Sequence, residues 1–210
     1  MSAQHEDTAP TLNGFSVILL AAGQSRRMGK TNKLLLARGN VPLIRHTAQI
    51  YTCLGMSVTV VLGFEAEKIR STLNGLPVEF IHNEKYADGQ DTSIRSGLAA
   101  LRMPQEGLLI ALADQPLLEP ADIKTLCAHY LAGSRDKIIV PFHKSTRGNP
   151  VLFPTELAVQ IRDAVEAISC RQFIDETPQH VSRYDAPNDH FIADIDTPQD
   201  AAKVLTGRAF

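Results

Sequence analysis

Short apolar runs alternate with amphipathic stretches through the first two thirds of the chain. The runs are short and rich in Val, Ile and Leu, as buried strands are, and the stretches between them repeat apolar residues at helical spacing. The predicted strands are residues 14–20, 57–62, 77–82, 107–113 and 136–142. The predicted helices are residues 42–54, 64–73, 92–103 and 120–131. This alternation predicts an α/β fold built from right-handed βαβ units around a mainly parallel sheet.

The pattern changes after the strand at 136–142. A polar turn region at 143–148 precedes a short strand at 149–153, helical segments around 156–176, and two further strands at 179–184 and 190–195. We expect these strands to extend the sheet by antiparallel or edge pairing. Thr197-Pro198 has the cap and first-turn residues of a last helix. The polar residues 1–13 are predicted to be a flexible tail, and residues 14–210 a single domain.

Composition and charge narrow the class of protein. The net charge of −2 and the pI near 6.4 predict no general attraction to nucleic acid or to an anionic membrane. Three widely spaced cysteines argue against a disulfide framework or a structural zinc site and fit reduced thiols in a cytoplasm. No apolar run reaches the roughly 18 to 20 residues that cross a bilayer, and the amino terminus lacks the apolar segment of a secretory signal. We therefore expect a cytoplasmic location.

A basic loop follows the first predicted strand. The small-residue turn Ala21-Ala22-Gly23 leads into a loop with four cations, Arg26, Arg27, Lys30 and Lys33. Small residues let the backbone approach a ligand closely, and free backbone N–H groups beside cations favour bound anions. The loop is therefore a candidate polyphosphate site, and the alternative is an ordinary solvated basic loop.

The same loop resembles a Walker A motif but has different spacing. Five residues separate Gly23 from Gly29, whereas the Walker A motif has four between its glycines. Because consecutive N–H groups in that motif must wrap one phosphate while the lysine reaches the next, the extra residue argues against a P-loop kinase.

Asp114 directly follows the most apolar predicted strand. Ligands of open α/β sheets gather outside the carboxyl ends of the strands, where both Gly23 and Asp114 are expected. Asp114 is therefore a candidate for chemistry. The alternative is that it caps a turn before Pro116.

Four motifs in order resemble those of one enzyme family. They are Leu20-Ala21-Ala22-Gly23-x-Ser25-x-Arg27-Met28-Gly29-x3-Lys33, Asp114-Gln115-Pro116, Gly148-Asn149-Pro150-Val151-Leu152-Phe153 and Asp194-Ile195-Asp196-Thr197-Pro198. Together they resemble the NTP-transferase (MobA-like) superfamily, and within it most closely the molybdenum cofactor cytidylyltransferases. The resemblance implies a three-layer, Rossmann-like nucleotidyltransferase fold with a mainly parallel, mixed sheet.

The resemblance also implies a reaction and its participants. CMP would pass from CTP to the phosphate of a molybdopterin-type cofactor, with release of pyrophosphate and with Mg²⁺, or alternatively Mn²⁺, as the metal. A molybdenum hydroxylase apo-enzyme is a further implied partner.

Residue roles follow from the same resemblance. Asp114 and Asp194 would hold the metal, and Arg27, Lys33 and Asp114 would be catalytic. Asp196 is interpreted as structural. Nucleotide binding is implied for Leu20, Ala21, Ala22, Gly23, Ser25, Arg26, Lys33, Ser93 and Gly97. Binding of the second substrate is implied for Arg95, Gly148, Asn149 and Pro150.

Three residues depart from the family pattern. Gln90 and Asp91 stand where relatives usually have small residues or Met, and Asp91 would repel an anionic substrate if it faced the site. Asn149 stands where relatives often have His, so it can form hydrogen bonds but cannot be a cation near neutral pH.

Other functions stay open on the sequence. They are a nucleotidyltransferase with another acceptor or nucleotide, a relative that uses a nicotinamide cofactor, and a non-catalytic carrier or insertion chaperone for the molybdenum cofactor. The absence of a G-x-G-x-x-G turn argues against the nicotinamide alternative.

Overall fold

The computed structural model describes residues 11–29, 31–102, 106–163 and 169–205. Most of the predicted tail, residues 1–10, and Lys30 of the basic loop lie outside the described residues. Leu12 is buried, and its N–H donates to the carbonyl of Leu54 at 2.8 Å. The packed domain therefore includes residue 12, which the prediction placed in the tail.

The described residues contain ten strands. In chain order they are β1 Phe15–Ala21, β2 Ala37–Arg38, β3 Val41–Pro42, β4 Ser57–Leu62, β5 Val78–His82, β6 Gly107–Leu112, β7 Ile138–His143, β8 Thr146–Arg147, β9 Val151–Phe153 and β10 Val181–Asp185. The main sheet has the order β10-β7-β9-β6-β1-β4-β5, with β8 paired to β7. Strand β9 runs antiparallel to β6 and β7, and the pairs β1–β4, β1–β6, β4–β5 and β7–β10 are parallel. The predicted mainly parallel, mixed sheet is confirmed.

Helices cover both faces of this sheet. Those of the described residues are α1 Leu43–Thr52, α2 Ala66–Thr72, α3 Gln90–Ala100, α4 Pro120–Ala132, α5 Thr155–Asp163, α6 Cys170–Glu176 and α7 Pro198–Leu205. Strand β1 shows the layering, because Val17 and Leu19 belong to the core shared with α1, α2 and α4, while Ile18 and Leu20 belong to the core shared with α3, α5 and α6. The fold is the predicted three-layer α/β architecture.

Helix α3 packs unusually close to the sheet. A Cβ atom built on Gly97 would lie 2.7 Å from Cγ2 of Ile18 and 3.1 Å from Cγ2 of Val61. Real Cβ atoms do not approach that closely, so glycine is required here by packing. This close contact fixes the distance between the carboxyl-terminal half of α3 and the sheet.

Several predicted elements need correction. Residues 190–195 form no strand, because their backbone groups bond to loops: the N–H of Asn149 donates to the carbonyl of Phe191, and the N–H of Ile195 to that of Asp114. The strand predicted at 179–184 is β10. It does lie at an edge of the sheet, but it pairs in parallel with β7, and the antiparallel strand inside the sheet is β9.

Smaller differences concern element ends. The sequence reading missed the β2–β3 hairpin, which uses Pro42, so that α1 begins one residue later at Leu43. Helix α3 begins at Gln90, two residues before its predicted start. The predicted helical segments around 156–176 are α5 and α6, and residues 164–168 between them lie outside the described residues, as does Met103. Within the described parts of the chain, no helix is long and apolar enough to span a membrane.

Candidate functional site

One edge of the sheet gathers the ends of several strands. Strands β1 and β6 are parallel neighbours, with Leu20 paired to Leu112, so the loop after β1 and Asp114 after β6 emerge side by side. Because β9 runs the opposite way, the segment that leads into it, residues 148–150, arrives at this same edge. The first and second sequence motifs are thereby brought together as predicted from the carboxyl-end rule, and the third motif joins them through the reversed direction of β9.

A cavity of about 450 Å³, here called the loop cavity, lies between the loop after β1 and the start of α3. Most of the predicted nucleotide-binding and catalytic residues line it: Leu20, Ala22, Gly23, Ser25, Arg26, Arg27, Lys33, Ser93 and Asp114. It is also lined by residues that the sequence reading did not assign to nucleotide binding, among them Gln24, Tyr86, Gln90 and Asp196. The loop cavity is therefore the place where the predicted polyphosphate site is assembled.

The loop that borders this cavity has a defined conformation. Ser25 adopts a left-handed backbone conformation (φ 51°), and its Oγ accepts a hydrogen bond from the backbone N–H of Lys33 at 3.2 Å. Buried Asn32 accepts from the N–H of Leu34 at 3.1 Å through its Oδ1. A one-turn 3-10 helix, Lys33–Leu35, and the β2–β3 hairpin follow, whereas a P-loop would continue directly into a long helix. The backbone thus agrees with the rejection of a Walker A site.

Three carboxylates converge beside the loop cavity. One oxygen each of Asp114, Asp194 and Asp196 lie within 4.8 Å of one another. Lys33 Nζ is 2.6 Å from Asp114 Oδ2 and 2.9 Å from Asp196 Oδ1, and an Arg27 guanidinium nitrogen is 2.7 Å from Asp196 Oδ2. Asp114 Oδ1 is buried and has no hydrogen-bond partner within the described part of the chain. A carboxylate cluster with an orphaned buried oxygen is a suitable donor set for a hard divalent cation.

Electrostatic perturbations mark the same cluster. Loss of hydration raises the pKa of Asp194, and repulsion from Asp196 and Asp114 raises it further. Burial lowers the pKa of Lys33, but its contacts with Asp114 and Asp196 outweigh this effect, so that its pKa is raised overall. Lys33 is therefore a protonated ammonium that offsets part of the negative charge of the cluster.

A second cavity of about 780 Å³ adjoins the first and shares Leu20, Gln90 and Leu112 with it. Its walls are largely apolar and include Ile94, Ile110, Val140, Phe142, Phe153 and Ile174. Charged and polar groups also line it: Asp91, Arg147, Gly148, Asn149 and Arg171. Two predicted substrate-binding residues, Gly148 and Asn149, thus line a cavity that is distinct from the loop cavity and next to it.

Five predicted site residues lie outside these two linings, and one of them, Asp194, belongs to the carboxylate cluster. Ala21 is buried in the core at the end of β1, and Gly97 faces the sheet. Arg95 is partly buried on α3, and Pro150 is buried behind Asn149, to which it is joined by a cis peptide bond. Their roles therefore remain sequence-based predictions.

Sequence reasoning missed three residues that organise the site. Asp196 was interpreted as structural, but it belongs to the carboxylate cluster, as the D-x-D spacing alone could have suggested. Asn83 is 3% exposed, and its Nδ2 donates to the hydroxyls of Thr92 and Ser93 at 2.8 and 2.9 Å, which holds the first turn of α3. Buried Gln115 bonds to two distant backbone carbonyls. No local pattern reveals the last two roles.

Known proteins resemble the chain in sequence and fold. A family model described as the MobA-like NTP transferase domain matches residues 17–182. Nicotine blue oxidoreductase of Paenarthrobacter nicotinovorans is 26% identical over 194 residues, which cover 90% of this chain and 95% of that protein. The probable molybdenum cofactor guanylyltransferase of Natronomonas pharaonis is 27% identical, covering 70% of this chain and 75% of that protein. The crystal structure of Rv0371C from Mycobacterium tuberculosis, a manganese complex, aligns with a TM-score of 0.67 at 21% identity, covering 92% of this chain and 98% of that one.

Three features together define a nucleotidyltransferase-type domain. They are the three-layer α/β fold, the basic loop after β1 and the carboxylate cluster at the edge of the sheet. The family match covers most of its length. The chain belongs to the MobA-like NTP transferase family.

Proposed function

We propose that the chain is a cytoplasmic, Mg²⁺-dependent nucleotidyltransferase that transfers CMP from CTP to the phosphate of a molybdopterin-type cofactor. The observation that carries the proposal is the cluster of Asp114, Asp194 and Asp196, which faces the cations Arg27 and Lys33 at the loop cavity. A site that pairs carboxylates with cations in this way suits a metal-bound triphosphate.

The carboxylates would hold the metal. Asp114 offers a buried oxygen without a partner in the described residues, and Asp194 and Asp196 supply the other two donors. A bound Mg²⁺, or Mn²⁺ in its place, would neutralise phosphate charge as the nucleotide reacts. The manganese complex of the Rv0371C protein supports a divalent metal at a site of this fold.

The cations of the loop would hold the leaving group. An oxygen of the acceptor phosphate forms a bond to the α-phosphorus of CTP, while the bond from that phosphorus to the α,β-bridging oxygen breaks and pyrophosphate leaves with the electron pair. The acceptor phosphate is already an anion, so no general base is required. Arg27 and Lys33 then offset the charge that develops on pyrophosphate.

The second cavity would hold the acceptor. Its apolar walls suit a flat heterocycle, and Arg147 suits an anionic group. It shares a wall with the loop cavity, so an acceptor phosphate can approach a nucleotide there without rearrangement of the sheet. The named activity of the Natronomonas pharaonis relative supports a molybdenum cofactor as acceptor. An apo-molybdenum hydroxylase is the partner that would receive the product.

The proposal is tested by titrating CTP, GTP and ATP calorimetrically into the protein with Mg²⁺, followed by assays of pyrophosphate release with molybdopterin. We expect CTP to bind most tightly and to release pyrophosphate only with the acceptor. Equally weak binding of all three nucleotides would contradict the assignment, and preference for GTP would leave the transferase but correct the base.

Assays on the same protein samples distinguish the proposed function from two others. The similarity to nicotine blue oxidoreductase makes an oxidoreductase the main alternative. With the nicotinamide cofactor left open on the sequence, consumption of NADH or NADPH with an oxidised acceptor would support it. A non-catalytic carrier would retain cofactor delivery after Asp114→Ala, whereas a transferase would lose pyrophosphate release.

A further inference from the structure

We propose that Gln115 is a positioning residue. It fixes residues 148–150, here called the acceptor-side loop, to residues 191–196, here called the metal-binding segment. This inference rests on the proposed function for its kinetic consequences, but its structural basis is independent of the substrate. Gln115 is 1% exposed and lies directly after Asp114. Its side chain reaches a junction at which its own segment meets those of Asn149 and Phe191.

The Gln115 side chain donates hydrogen bonds to both of the other segments at this junction. Nε2 of Gln115 donates to the carbonyl of Asn149 at 2.9 Å and to the carbonyl of Phe191 at 2.7 Å. The N–H of Asn149 donates to the same Phe191 carbonyl at 2.8 Å. An amide nitrogen has two donors, so Gln115 can satisfy both bonds at once.

Both tethered segments carry site residues but lack regular pairing at these positions. Asn149 lines the second cavity, and Phe191 lies in the irregular stretch that leads to Asp194 and Asp196. The N–H of Ile195 donates to the carbonyl of Asp114 at 3.1 Å, which closes the stretch against the end of β6. Gln115 thus anchors the beginning of the metal-binding segment, while the Asp114 backbone anchors its end.

The close approach at this junction leaves little freedom. A Cβ atom built on Gly148 would lie 2.5 Å from the carbonyl oxygen of Phe191, so the two segments are nearly in backbone contact. Loss of the Gln115 bonds would let Phe191 and Asn149 separate. Because a displacement of about 1 Å can cost roughly 100-fold in rate, alignment of acceptor and metal would suffer first.

The test is Gln115→Met, which keeps a similar volume and removes both donors without adding charge. We expect Mn²⁺ affinity, measured with the metal alone by electron paramagnetic resonance, to fall about 3- to 10-fold, and kcat to fall about 10- to 100-fold. The KM for CTP should change less than about 2-fold, since the loop after β1 is untouched. Exchange of the amide protons of Asn149 and Ile195 should accelerate together.

Tyr130→Phe is the matched control. Its hydroxyl also lies between two backbone carbonyls, those of Glu106 and Arg135, both at 3.0 Å, but near the opposite end of β6. This variant should lose stability and leave Mn²⁺ affinity, kcat and the two amide exchange rates unchanged. If Gln115→Met does not fold, Gln115→Leu is used in the same measurements.

The outcomes separate this proposal from the function on which it rests. Unchanged Mn²⁺ affinity and unchanged exchange at Asn149 and Ile195 in Gln115→Met would overturn the positioning role, as would equal effects in Tyr130→Phe. A wild-type protein that binds Mn²⁺ but transfers no CMP would contradict the proposed function. In that case the Mn²⁺ and exchange measurements still decide the role of Gln115.

Discussion

The loop cavity and the second cavity share a wall but differ in how they are built. The loop cavity is dense in charge, and its cations come from eight consecutive positions, 26–33, that face carboxylates from two other segments. The second cavity is mostly apolar and draws its lining from scattered positions between 90 and 174, together with Leu20. Under the proposed function, this difference means that phosphate binding depends mainly on one short motif, whereas selection of the acceptor depends on residues distributed over the fold.

The largest expected effect comes from Asp114→Asn, which changes the lining of the loop cavity and leaves that of the second cavity as it is. It removes a charge from the carboxylate cluster, so we expect transfer activity to fall at least about 100- to 1000-fold and Mn²⁺ affinity to fall with it. Pyrophosphate release and Mn²⁺ titration are the measurements. Asp163→Asn, an exposed acid paired with Arg162, is the control and should behave as wild type. Retained activity in Asp114→Asn would contradict the metal site.

Lys33→Met tests the loop cavity more finely, because it should change the affinities for Mn²⁺ and for CTP in opposite directions. In the structure the Lys33 ammonium contacts Asp114 and Asp196, where a metal would also bind. Its removal should strengthen binding of Mn²⁺ alone about 3- to 10-fold and weaken binding of CTP without metal about 10-fold or more. Calorimetry reads both. Lys68→Met, an exposed lysine paired with Glu65, is the control, and a parallel loss of both affinities would show that Lys33 supports the metal site instead.

Arg147→Gln should break the second cavity and leave the first intact. Arg147 pairs with Asp175 and its guanidinium lies 6.0 Å from the centre of the Phe142 ring. We expect the KM for an anionic acceptor to rise about 10-fold while the KM for CTP stays the same. Arg183→Gln is the matched control, since Arg183 lies 4.1 Å from the same ring but is not among the described lining residues. Equal rises in both KM values would mean that the cavities are not separate sites.

Asp91→Asn should give the smallest effect and the opposite sign. Asp91 lines the second cavity, which confirms that this departure from the family pattern faces the cavity, as the sequence left open. Removing its charge should lower the KM of an anionic acceptor about 2- to 4-fold, because repulsion at an exposed position is weak. Steady-state kinetics with Asp88→Asn as control measure this. A higher KM would indicate instead that the Asp91 carboxylate helps to bind the acceptor, by pairing with a positive charge or accepting a hydrogen bond from an N–H group of it.

Local patterns were sufficient to predict the layers and much of the loop cavity. Apolar runs identified the parallel strands, and strand ends then brought Gly23, Lys33 and Asp114 to one edge. These predictions depend on residues near each other in sequence, or on a rule about strand direction. Asp196 was interpreted as structural because it precedes the capped last helix, whereas the structure places it with Asp194 and Asp114 in the carboxylate cluster.

Long-range contacts explain what the sequence could not predict. The partners of Gln115 lie 34 and 76 residues away, and nothing near Gln115 distinguishes its side chain from any other polar turn residue. The insertion of β9 between β6 and β7 likewise depends on pairing between distant strands. The errors of two residues in the expected start of α3 and of one residue in that of α1 are small by comparison, because helix ends are decided by caps and local turns.

The reversed direction of β9 has a consequence for protein engineering. The chain leaves β7, turns through the short β8 hairpin and enters β9 at the same edge of the sheet, so the exposed turn at residues 144–145 carries no central strand. Replacement turns of other lengths could be spliced there while the register of β6 and β7 is retained. Under the proposed function, new acceptor preferences could then be introduced while the loop cavity stays unaltered.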